Sequence, residues 1–451
     1  MKARSGRIPG VLLAAPHSGA GKTTVTLGLL AALRQRGLLV QPFKCGPDFI
    51  DPTLHQLVTG RVSHNLDPWM CGDAFVRECF ARHAATAEVA VVEGVMGLFD
   101  GGAGSSAALA KLLGLPVVLV VDARSMAESA AAVVKGFESL DPAVRVVGVI
   151  LNRVGSVRHL ELLRSAIKAH CRAEVLGALP REAEFVIPER HLGLHLGSEA
   201  PISSESLVRL AETVAGHIDL DRLLALAATA EPHPAPAVRE EPSGARIRIG
   251  IARDRAFCFY YEENLARLAA AGAELVEFSP LTDPALPEGI QGLYLGGGYP
   301  ELHAEQLAAN VPMLQAIREW SAAGRPLYAE CGGFMYLTEG IRDREERFYA
   351  MAGVYPVEAR MQQGRASLGY REVRVTADTV VGPAGTTLRG HEFHYSTIDP
   401  MPSAVARHYR LADDRQEGYL VNGRTLGGYL HLHFGSQPEV AAHFVRTCQE
   451  Y

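Results

Sequence analysis

Two groups of residues, far apart in this chain of 451, have the types and the spacing that chemistry needs. The first is a glycine-rich segment, residues 18–24, in which Gly-Lys-Thr-Thr follows an apolar run. The second is Cys331, which lies in Ala-Glu-Cys-Gly-Gly after another apolar run. A glycine-rich turn binds phosphate through its backbone N–H groups, and a cysteine on a sharp turn serves as a nucleophile. Together they predict an enzyme in which ATP activates one molecule and the thiol liberates another that attacks it.

The glycine-rich segment is typical of a phosphate-binding loop. Such a loop needs small residues, a lysine for the terminal phosphates and a hydroxyl group for magnesium. The strict motif would place a glycine where Pro16 stands, and the alternative interpretation is a glycine-rich turn that binds nothing. We predict that ATP and Mg²⁺ bind here. The predicted nucleotide-binding residues are Gly19, Ala20, Gly21, Lys22, Thr23 and Thr24.

Acidic residues follow two of the predicted strands. Asp48 and Asp51 come after the second strand, and Glu93 and Asp100 come after the third. Ligands of doubly wound sheets bind at the carboxyl ends of the strands, and Mg²⁺ takes carboxylate and phosphate oxygens. We therefore predict Thr23, Asp48 and Glu93 as ligands of Mg²⁺, and Asp100 as a residue that holds or orients substrate. The alternative for Asp48 and Asp51 is the capping of a turn.

Cys331 requires a base if it acts as a nucleophile. The N-terminus of the following helix is expected to lower the pKa of the thiol well below about 8.5. A late strand predicted over Leu426–Phe434 carries His431 and His433 on one face, because side chains alternate along a strand. Either histidine can pair with the thiol, and we place His433 first. The alternative is a buried cysteine that only packs.

A second glycine-rich turn follows another predicted strand, in Leu-Gly-Gly-Gly-Tyr-Pro-Glu over residues 295–301. Backbone N–H groups of Gly298 and Gly332 are predicted to form an oxyanion hole for a tetrahedral intermediate. The alternative is that the three glycines only permit a tight turn. The alternating polar and aromatic residues 389–396 predict a strand.

The elements that must position these residues are short apolar runs separated by helical patterns. This alternation predicts a doubly wound parallel sheet in the first half. The predicted strands there are Val11–Ala15, Val40–Phe43, Val89–Val92, Val117–Val121 and Val146–Leu151. A proline-rich stretch suggests a linker, after which a second series of strands begins at Ile247. The predicted domains are 1–228 and 246–451, with the linker at 229–245.

The composition restricts the class of protein. The chain is 48% hydrophobic and 21% charged with a net charge of −6, so it is expected to bind small molecules and no nucleic acid. No apolar stretch approaches the roughly 20 residues of a membrane span. Seven scattered cysteines without a C-x-x-C pair argue against a zinc site and a disulfide framework, and favour a cytoplasmic location.

Several longer segments are more specific than the phosphate loop. They are residues 46–52, 65–70, 93–101, 257–265 and 390–396. These segments carry a resemblance to the cobyrinate a,c-diamide synthase family, and the resemblance covers nearly the whole chain. The resemblance implies an α/β fold in two parts: a P-loop domain of the dethiobiotin-synthetase type, built on a doubly wound parallel sheet, and a C-terminal class I glutamine amidotransferase domain.

The resemblance also implies a reaction, the amidation of the a and c acetate carboxylates of cobyrinate. By this likeness, Cys331 attacks the side-chain amide of glutamine to form a thioester and free ammonia, while ATP converts a carboxylate into an acyl phosphate. Asp48, Asp51, Glu93 and Asp100 fall where the family places the acids of its synthetase site. The implied partners are a cobyrinate-type tetrapyrrole, glutamine and ATP.

The sequence departs from the class I pattern at two positions, and two rival functions are also considered. Ala329 stands where that pattern has glycine, and no acid lies two residues after His433, so the third member of a triad is not identified. One rival is the same chemistry on hydrogenobyrinate or nickel-sirohydrochlorin. The other is a P-loop ATPase switch with a degenerate amidotransferase domain. The oligomeric state is also open, with a homodimer as one option.

Overall fold

A computed structural model of the chain describes residues 8–181, 189–190, 193–194, 202–231, 246–364 and 367–450. The chain divides into two compact units, Met1–Val238 and Arg239–Tyr451. The predicted linker falls largely outside the described residues, and the predicted domain limits stay predictions. Within the described ranges, no helix has both the length and the apolar character that crossing a membrane requires.

The first unit contains one seven-stranded sheet. Its strands are β1 (Gly10–Ala14), β2 (Val40–Cys45), β3 (His64–Leu66), β4 (Val89–Glu93), β5 (Val117–Asp122), β6 (Val146–Val154) and β7 (Glu174–Pro180). The order is β3-β2-β4-β1-β5-β6-β7, and every neighbouring pair is parallel. Strands lie on both sides of β1, as in a doubly wound sheet. The predicted parallel sheet is confirmed.

Helices connect these strands and cover the sheet. They are α1 (Lys22–Gln35), α2 (Asp51–Thr59), α3 (Pro68–Cys71), α4 (Asp73–Ala84), α5 (Ser106–Leu112), α6 (Ser129–Leu140), α7 (Val157–His170), α8 (Ser204–His217) and α9 (Leu220–Ala227). A short hairpin pairs β8 (Glu189–Arg190) with β9 (Gly193–Leu194). Because β2, β4 and β1 are adjacent and parallel, the three segments that follow them meet at one edge of the sheet.

The second unit is built on a ten-stranded mixed sheet. Its strands are β10 (Ile247–Ala252), β12 (Ala273–Phe278), β13 (Gly292–Leu295), β15 (Leu327–Glu330), β19 (Ser367–Val375), β20 (Thr387–His394), β22 (Ala406–Leu411), β23 (Gln416–Val421), β24 (Thr425–Gly428) and β25 (His431–Leu432). The order is β12-β10-β13-β15-β24-β23-β22-β19-β20-β25. The first five strands in this order are parallel to one another, and every pairing from β24–β23 onward is antiparallel.

Smaller elements complete this unit. The other strands are β11 (Phe257–Phe259), β14 (Gly297–Gly298), β16 (Thr338–Arg342), β17 (Phe348–Ala350), β18 (Tyr355–Met361) and β21 (Ser396–Ile398). The helices are α10 (Glu262–Ala270), α11 (Ala304–Ala309), α12 (Val311–Ala322), α13 (Gly332–Leu337) and α14 (Glu439–Gln449). Two hydrophobic clusters make up most of the core; one contains Cys331 and the other contains Leu432.

The single late strand predicted over Leu426–Phe434 is wrong. The chain forms β24 next to β15, bends at Tyr429, and then forms β25 next to β20. Because β25 contains only His431 and Leu432, the alternation argument does not place His433 on the same face as His431. The strand predicted over residues 389–396 is confirmed in β20 and β21.

Candidate active sites

The phosphate loop connects β1 to α1, as predicted, and side chains from β6 hold it in place. Gly19 and Gly21 have φ of 81° and 94°, which glycine adopts without strain. The Asn152 side-chain amide donates to the carbonyl of Ala20 at 2.9 Å. The guanidinium of Arg153 donates to the carbonyl of Gly19 at 3.0 Å. The loop is therefore fixed by two residues that the sequence motif does not contain.

Replacing Gly21 with alanine is expected to weaken ATP binding at least about tenfold, because a β-carbon there would overlap the amide nitrogen of Asn152. Gly37→Ala is the matched control, since Gly37 has a φ of 80° and nothing within 4 Å of the added carbon. Both variants carry a similar backbone cost of roughly 1–2 kcal/mol. Titration with ATP should separate them, and equal affinities would contradict the assigned role of Gly21.

The lysine and the first threonine of the motif face the acidic residues. The ammonium of Lys22 donates to the carbonyl of Met96 at 2.6 Å. Burial and the nearby ammonium of Lys44 lower the pKa of Lys22. The hydroxyl of Thr23 donates to Oε1 of Glu93 at 2.8 Å. The two motif side chains thus lie where the phosphates of a bound nucleotide would need charge and a hydroxyl ligand.

The centre of this site is a buried cluster of charges around Lys44. Its ammonium contacts a carboxylate oxygen of Asp51, Oε1 of Glu93 at 3.1 Å and Oδ2 of Asp48 at 3.6 Å. Burial works against the charge of Lys44, but Asp51 and Glu93 outweigh it and raise the pKa of Lys44. Burial, together with Asp48 and Glu93, raises the pKa of Asp51. The cluster therefore combines an ionised Lys44 with a neighbouring Asp51 whose neutral form is favoured.

Glu93 is the most constrained acid of the cluster. It ends β4 and is fully buried. Its Oε2 lies 2.8 Å from Nε2 of His55, whose Nδ1 is 3.0 Å from the hydroxyl of Ser63. Burial alone would raise the pKa of Glu93, but Lys44 and His55 more than offset this and lower it. Glu93 therefore stays ionised. The sequence did not single out Lys44 or His55, because a strand lysine and a lone helical histidine carry no motif.

The other predicted acids occupy different positions. Oδ1 of Asp48 accepts hydrogen bonds from the backbone N–H groups of Ile50, at 2.8 Å, and Asp51, at 3.0 Å. Oδ1 of Asp48 therefore caps the turn, as the alternative interpretation of this residue expects. Asp51 begins α2, and its Oδ2 accepts from the Thr23 hydroxyl at 3.5 Å. Asp100 is exposed and accepts from the N–H of Gly97 at 3.0 Å.

In the second unit, Cys331 lies on a sharp turn between β15 and α13. Its φ of 47° and ψ of −104° are rare for a residue other than glycine. Its backbone N–H donates to the carbonyl of Gly428 at 2.8 Å, which ties the turn to β24. A β-carbon on Gly332 would approach the N of Gly298 to 2.9 Å. The two residues predicted for the oxyanion hole are therefore neighbours beside the cysteine.

The electrostatics of Cys331 differ from the expectation. The residue is only 6% exposed, and burial, with the negative charge of Glu301, raises the pKa of the thiol. The backbone N–H of Gly332, at the N-terminus of α13, lowers the pKa of the thiol but does not offset the effect of burial. The prediction of a lowered pKa is wrong for this state of the site, in which the thiol is protonated. Its Sγ lies 4.0 Å from the carbonyl of Phe393.

The two histidines have different surroundings. Nδ1 of His431 lies 3.8 Å from Oε2 of Glu330, the residue before Cys331. A β-carbon on Gly297, in the glycine-rich turn, would overlap the ring of His431. His431 therefore contacts two of the segments that form the turn around the cysteine.

His433 lies against α10. Its Nδ1 accepts from the backbone N–H of Gly435 at 2.9 Å, and its ring centroid is 4.6 Å from that of Tyr261. Burial lowers the pKa of His433 to about 3 and lowers that of His431 as well. Burial thus keeps both rings neutral and makes each a weaker base than a free imidazole. His431 thus contacts Glu330 and Gly297, whereas His433 contacts Gly435 and Tyr261, and which ring pairs with Cys331 stays a prediction.

Two protein-family models match the chain. Residues 11–194 match the "CobQ/CobB/MinD/ParA nucleotide binding domain", and residues 248–439 match the "CobB/CobQ-like glutamine amidotransferase domain". The fold and the sites therefore define a class of ligase in which a nucleotide-binding domain and a glutamine amidotransferase domain share one chain. Within that class, the relatives at 40–47% identity over nearly the full length show that the chain belongs to the cobyrinate a,c-diamide synthase family.

Three relatives illustrate this. Cobyrinate a,c-diamide synthase of Syntrophotalea carbinolica is 47% identical, over 98% of this chain and 99% of its own. The enzyme of the same name from Priestia megaterium is 43% identical, over 97% of each chain. Hydrogenobyrinate a,c-diamide synthase of Streptomyces coelicolor is 43% identical, over 98% of each.

Proposed function

We propose that this chain uses ATP and glutamine to amidate the a and c acetate carboxylates of a cobyrinate-type tetrapyrrole. The observation that carries the proposal is the near full-length similarity to synthases of that name, which extends over both the nucleotide-binding and the amidotransferase halves. The names of the relatives support the substrate, and the geometry of the two sites supports the proposed roles of the residues.

In the amidotransferase half, Cys331 is the proposed nucleophile. Its proton passes to a histidine ring, for which His431 is favoured, while Sγ bonds to the side-chain amide carbon of glutamine. The backbone N–H groups of Gly298 and Gly332 stabilise the oxygen of the tetrahedral intermediate. The C–N bond then breaks, ammonia leaves with the proton from the ring, and water releases glutamate from the thioester.

In the synthetase half, a substrate carboxylate takes the terminal phosphoryl group of ATP. The resulting acyl phosphate has a good leaving group, and ammonia displaces phosphate from it to form the amide. Phosphoryl transfer depends on positioning and on neutralisation of charge. Lys22 and the phosphate loop bind the phosphates, and Lys44 adds positive charge beside Glu93. Asp100, exposed near the loop, is proposed to hold the substrate.

The donor atoms of this half fit a magnesium ion. A hydroxyl and carboxylate oxygens are ligands that Mg²⁺ prefers, and a cation beside these carboxylates would favour their ionised forms. Thr23, Glu93 and Asp48, the predicted ligands, would hold the ion, and Asp51 is a further candidate because its Oδ2 lies 3.5 Å from the Thr23 hydroxyl. Bound there, Mg²⁺ supplies charge to the phosphate oxygens of ATP.

The test is an assay with ATP, glutamine and cobyrinate, in which products are identified by mass. We expect two successive gains of one amide. Hydrogenobyrinate belongs in the same assay, because a relative that carries its name is 43% identical to this chain. Consumption of ATP in the presence of these tetrapyrrole acids without amide formation from any nitrogen donor would overturn the proposal.

A further inference from the structure

The peptide between the two histidines is held on both sides by buried side chains. The backbone N–H of Leu432 donates to Oε1 of Glu330 at 2.9 Å. The side-chain amide of Asn264 donates to the carbonyl of Leu432 at 2.8 Å and accepts from the N–H of Phe434 at the same distance. Asn264 is fully buried in α10 and Glu330 is 1% exposed. These bonds fix the backbone on either side of His433.

Glu330 also reaches a histidine ring. Its two oxygens accept hydrogen bonds from the hydroxyls of Tyr328, at 2.6 Å, and Tyr294, at 2.9 Å. With the bond from Leu432, three donors orient the carboxylate, and its Oε2 then lies 3.8 Å from Nδ1 of His431. Burying a carboxylate is costly unless it is satisfied in this way. The residue that immediately precedes the thiol thus contacts both the backbone and a ring of the histidine segment.

We propose that Glu330 supplies the acid that is absent two residues after His433, and acts as a positioning residue for the segment His431–His433. Asn264 holds the same segment from α10. This inference rests on the proposed role of Cys331 as the nucleophile. It gives a function to the segment 257–265, of which Asn264 is part and which the reaction otherwise leaves unused.

The chemistry explains why an acid is needed there. When the thiol proton passes to the ring, a buried imidazolium forms. Near His431 lie the titratable groups of Glu330 from β15 and of His391 and His394 from β20. Among these three, Glu330 is the group that becomes negative when it ionises. The ionised carboxylate, 3.8 Å from Nδ1, stabilises the new positive charge on the ring, and ammonia then carries the transferred proton away.

The test compares Glu330→Gln with Glu417→Gln. Glu417 is a matched control because it is also buried, accepts a backbone N–H from Tyr429, and has a pKa raised to about 7 by burial, as Glu330 has. We expect Glu330→Gln to lower kcat for glutamine hydrolysis on the order of 100-fold with little change in KM. Glu417→Gln should retain most of kcat. Equal losses in both variants would overturn the proposal.

The pH dependence of glutamine hydrolysis is a second test, because it would not change if Glu330 served only to pack the core. Burial raises the pKa of Glu330 to about 7, so the ionised acid is lost as the pH falls through that value. The rate of glutamine hydrolysis by the wild-type enzyme should therefore fall as the pH drops through about 7. The rate of Glu330→Gln should not show this fall, and a Glu330→Gln pH profile of the same shape as the wild-type profile would count against the proposal.

Two further variants separate a failure of the proposed role of Glu330 from a failure of the proposed role of Cys331. Tyr294→Phe removes one donor from the oxygen of Glu330 that faces His431, and about a tenfold loss of kcat is expected even if Glu330→Gln does not fold. Cys331→Ser is measured in parallel. If it still hydrolyses glutamine, the nucleophile assignment fails. If it is inactive while Glu330→Gln and Tyr294→Phe match the wild type, only the role of Glu330 fails.

Discussion

Cys331→Ser is expected to lower glutamine-dependent amidation about a thousandfold or more, while amidation with added ammonium salts is retained. The thiol forms the bond to the amide carbon, and a hydroxyl group in the same place is a much weaker nucleophile. The synthetase residues lie in the other compact unit and keep their geometry. Product masses with each nitrogen source measure the two activities separately.

Cys448→Ser is the matched control for this result. Cys448 is fully buried in α14, so its replacement carries the cost of a hydroxyl in an apolar site without touching the turn at Cys331. We expect it to lower the free energy of unfolding and to keep glutamine use. If Cys331→Ser kept glutamine use as well, the chain would behave as an ATPase switch with a degenerate amidotransferase domain.

Glu93→Gln is expected to lower amidation with both nitrogen sources about 100- to 1000-fold. The change removes a buried negative charge that contacts Lys44, His55 and Thr23. It also removes a proposed ligand of Mg²⁺, so the concentration of Mg²⁺ needed for half-maximal rate should rise. The assay is single-turnover amide formation with ammonia as the donor, titrated with Mg²⁺.

Glu138→Gln provides the comparison in the same unit. Glu138 is also buried, but its Oε1 accepts from the backbone N–H groups of Arg172 and Ala173, at 2.8 and 2.6 Å. A glutamine oxygen can accept the same bonds, so we expect near wild-type rates. Retention of full activity by Glu93→Gln would remove Glu93 from the synthetase site.

Much of the fold could be predicted from the sequence, because strands that are buried on both faces read as continuous apolar runs. The runs at Val89–Val92 and Val117–Val121 lie within observed strands. The error at Leu426–Phe434 has a physical cause. The run Leu426–Phe434 contains no proline and no Asp, Glu, Lys or Arg to mark a break, and only pairing with β15 and then β20 shows that the chain bends there.

The candidate sites were predictable where a local motif carries the chemistry and not where partners come from distant segments. The phosphate loop and the turn at Cys331 each fit within a few residues, so their spacing is informative. Lys44, His55 and Glu330 gain their roles from residues between 7 and 102 positions away. The pKa of Cys331 was mispredicted because the sequence shows the adjacent helix but not the depth of burial.

The protonated state of Cys331 has a consequence for the enzyme between turnovers. Oxidants and alkylating reagents react with thiolates that solvent can reach. A thiol that is 6% exposed, and whose pKa is raised by burial, offers them little of that form. The same burial that makes the resting sulfur a poor nucleophile is therefore expected to protect it from irreversible oxidation.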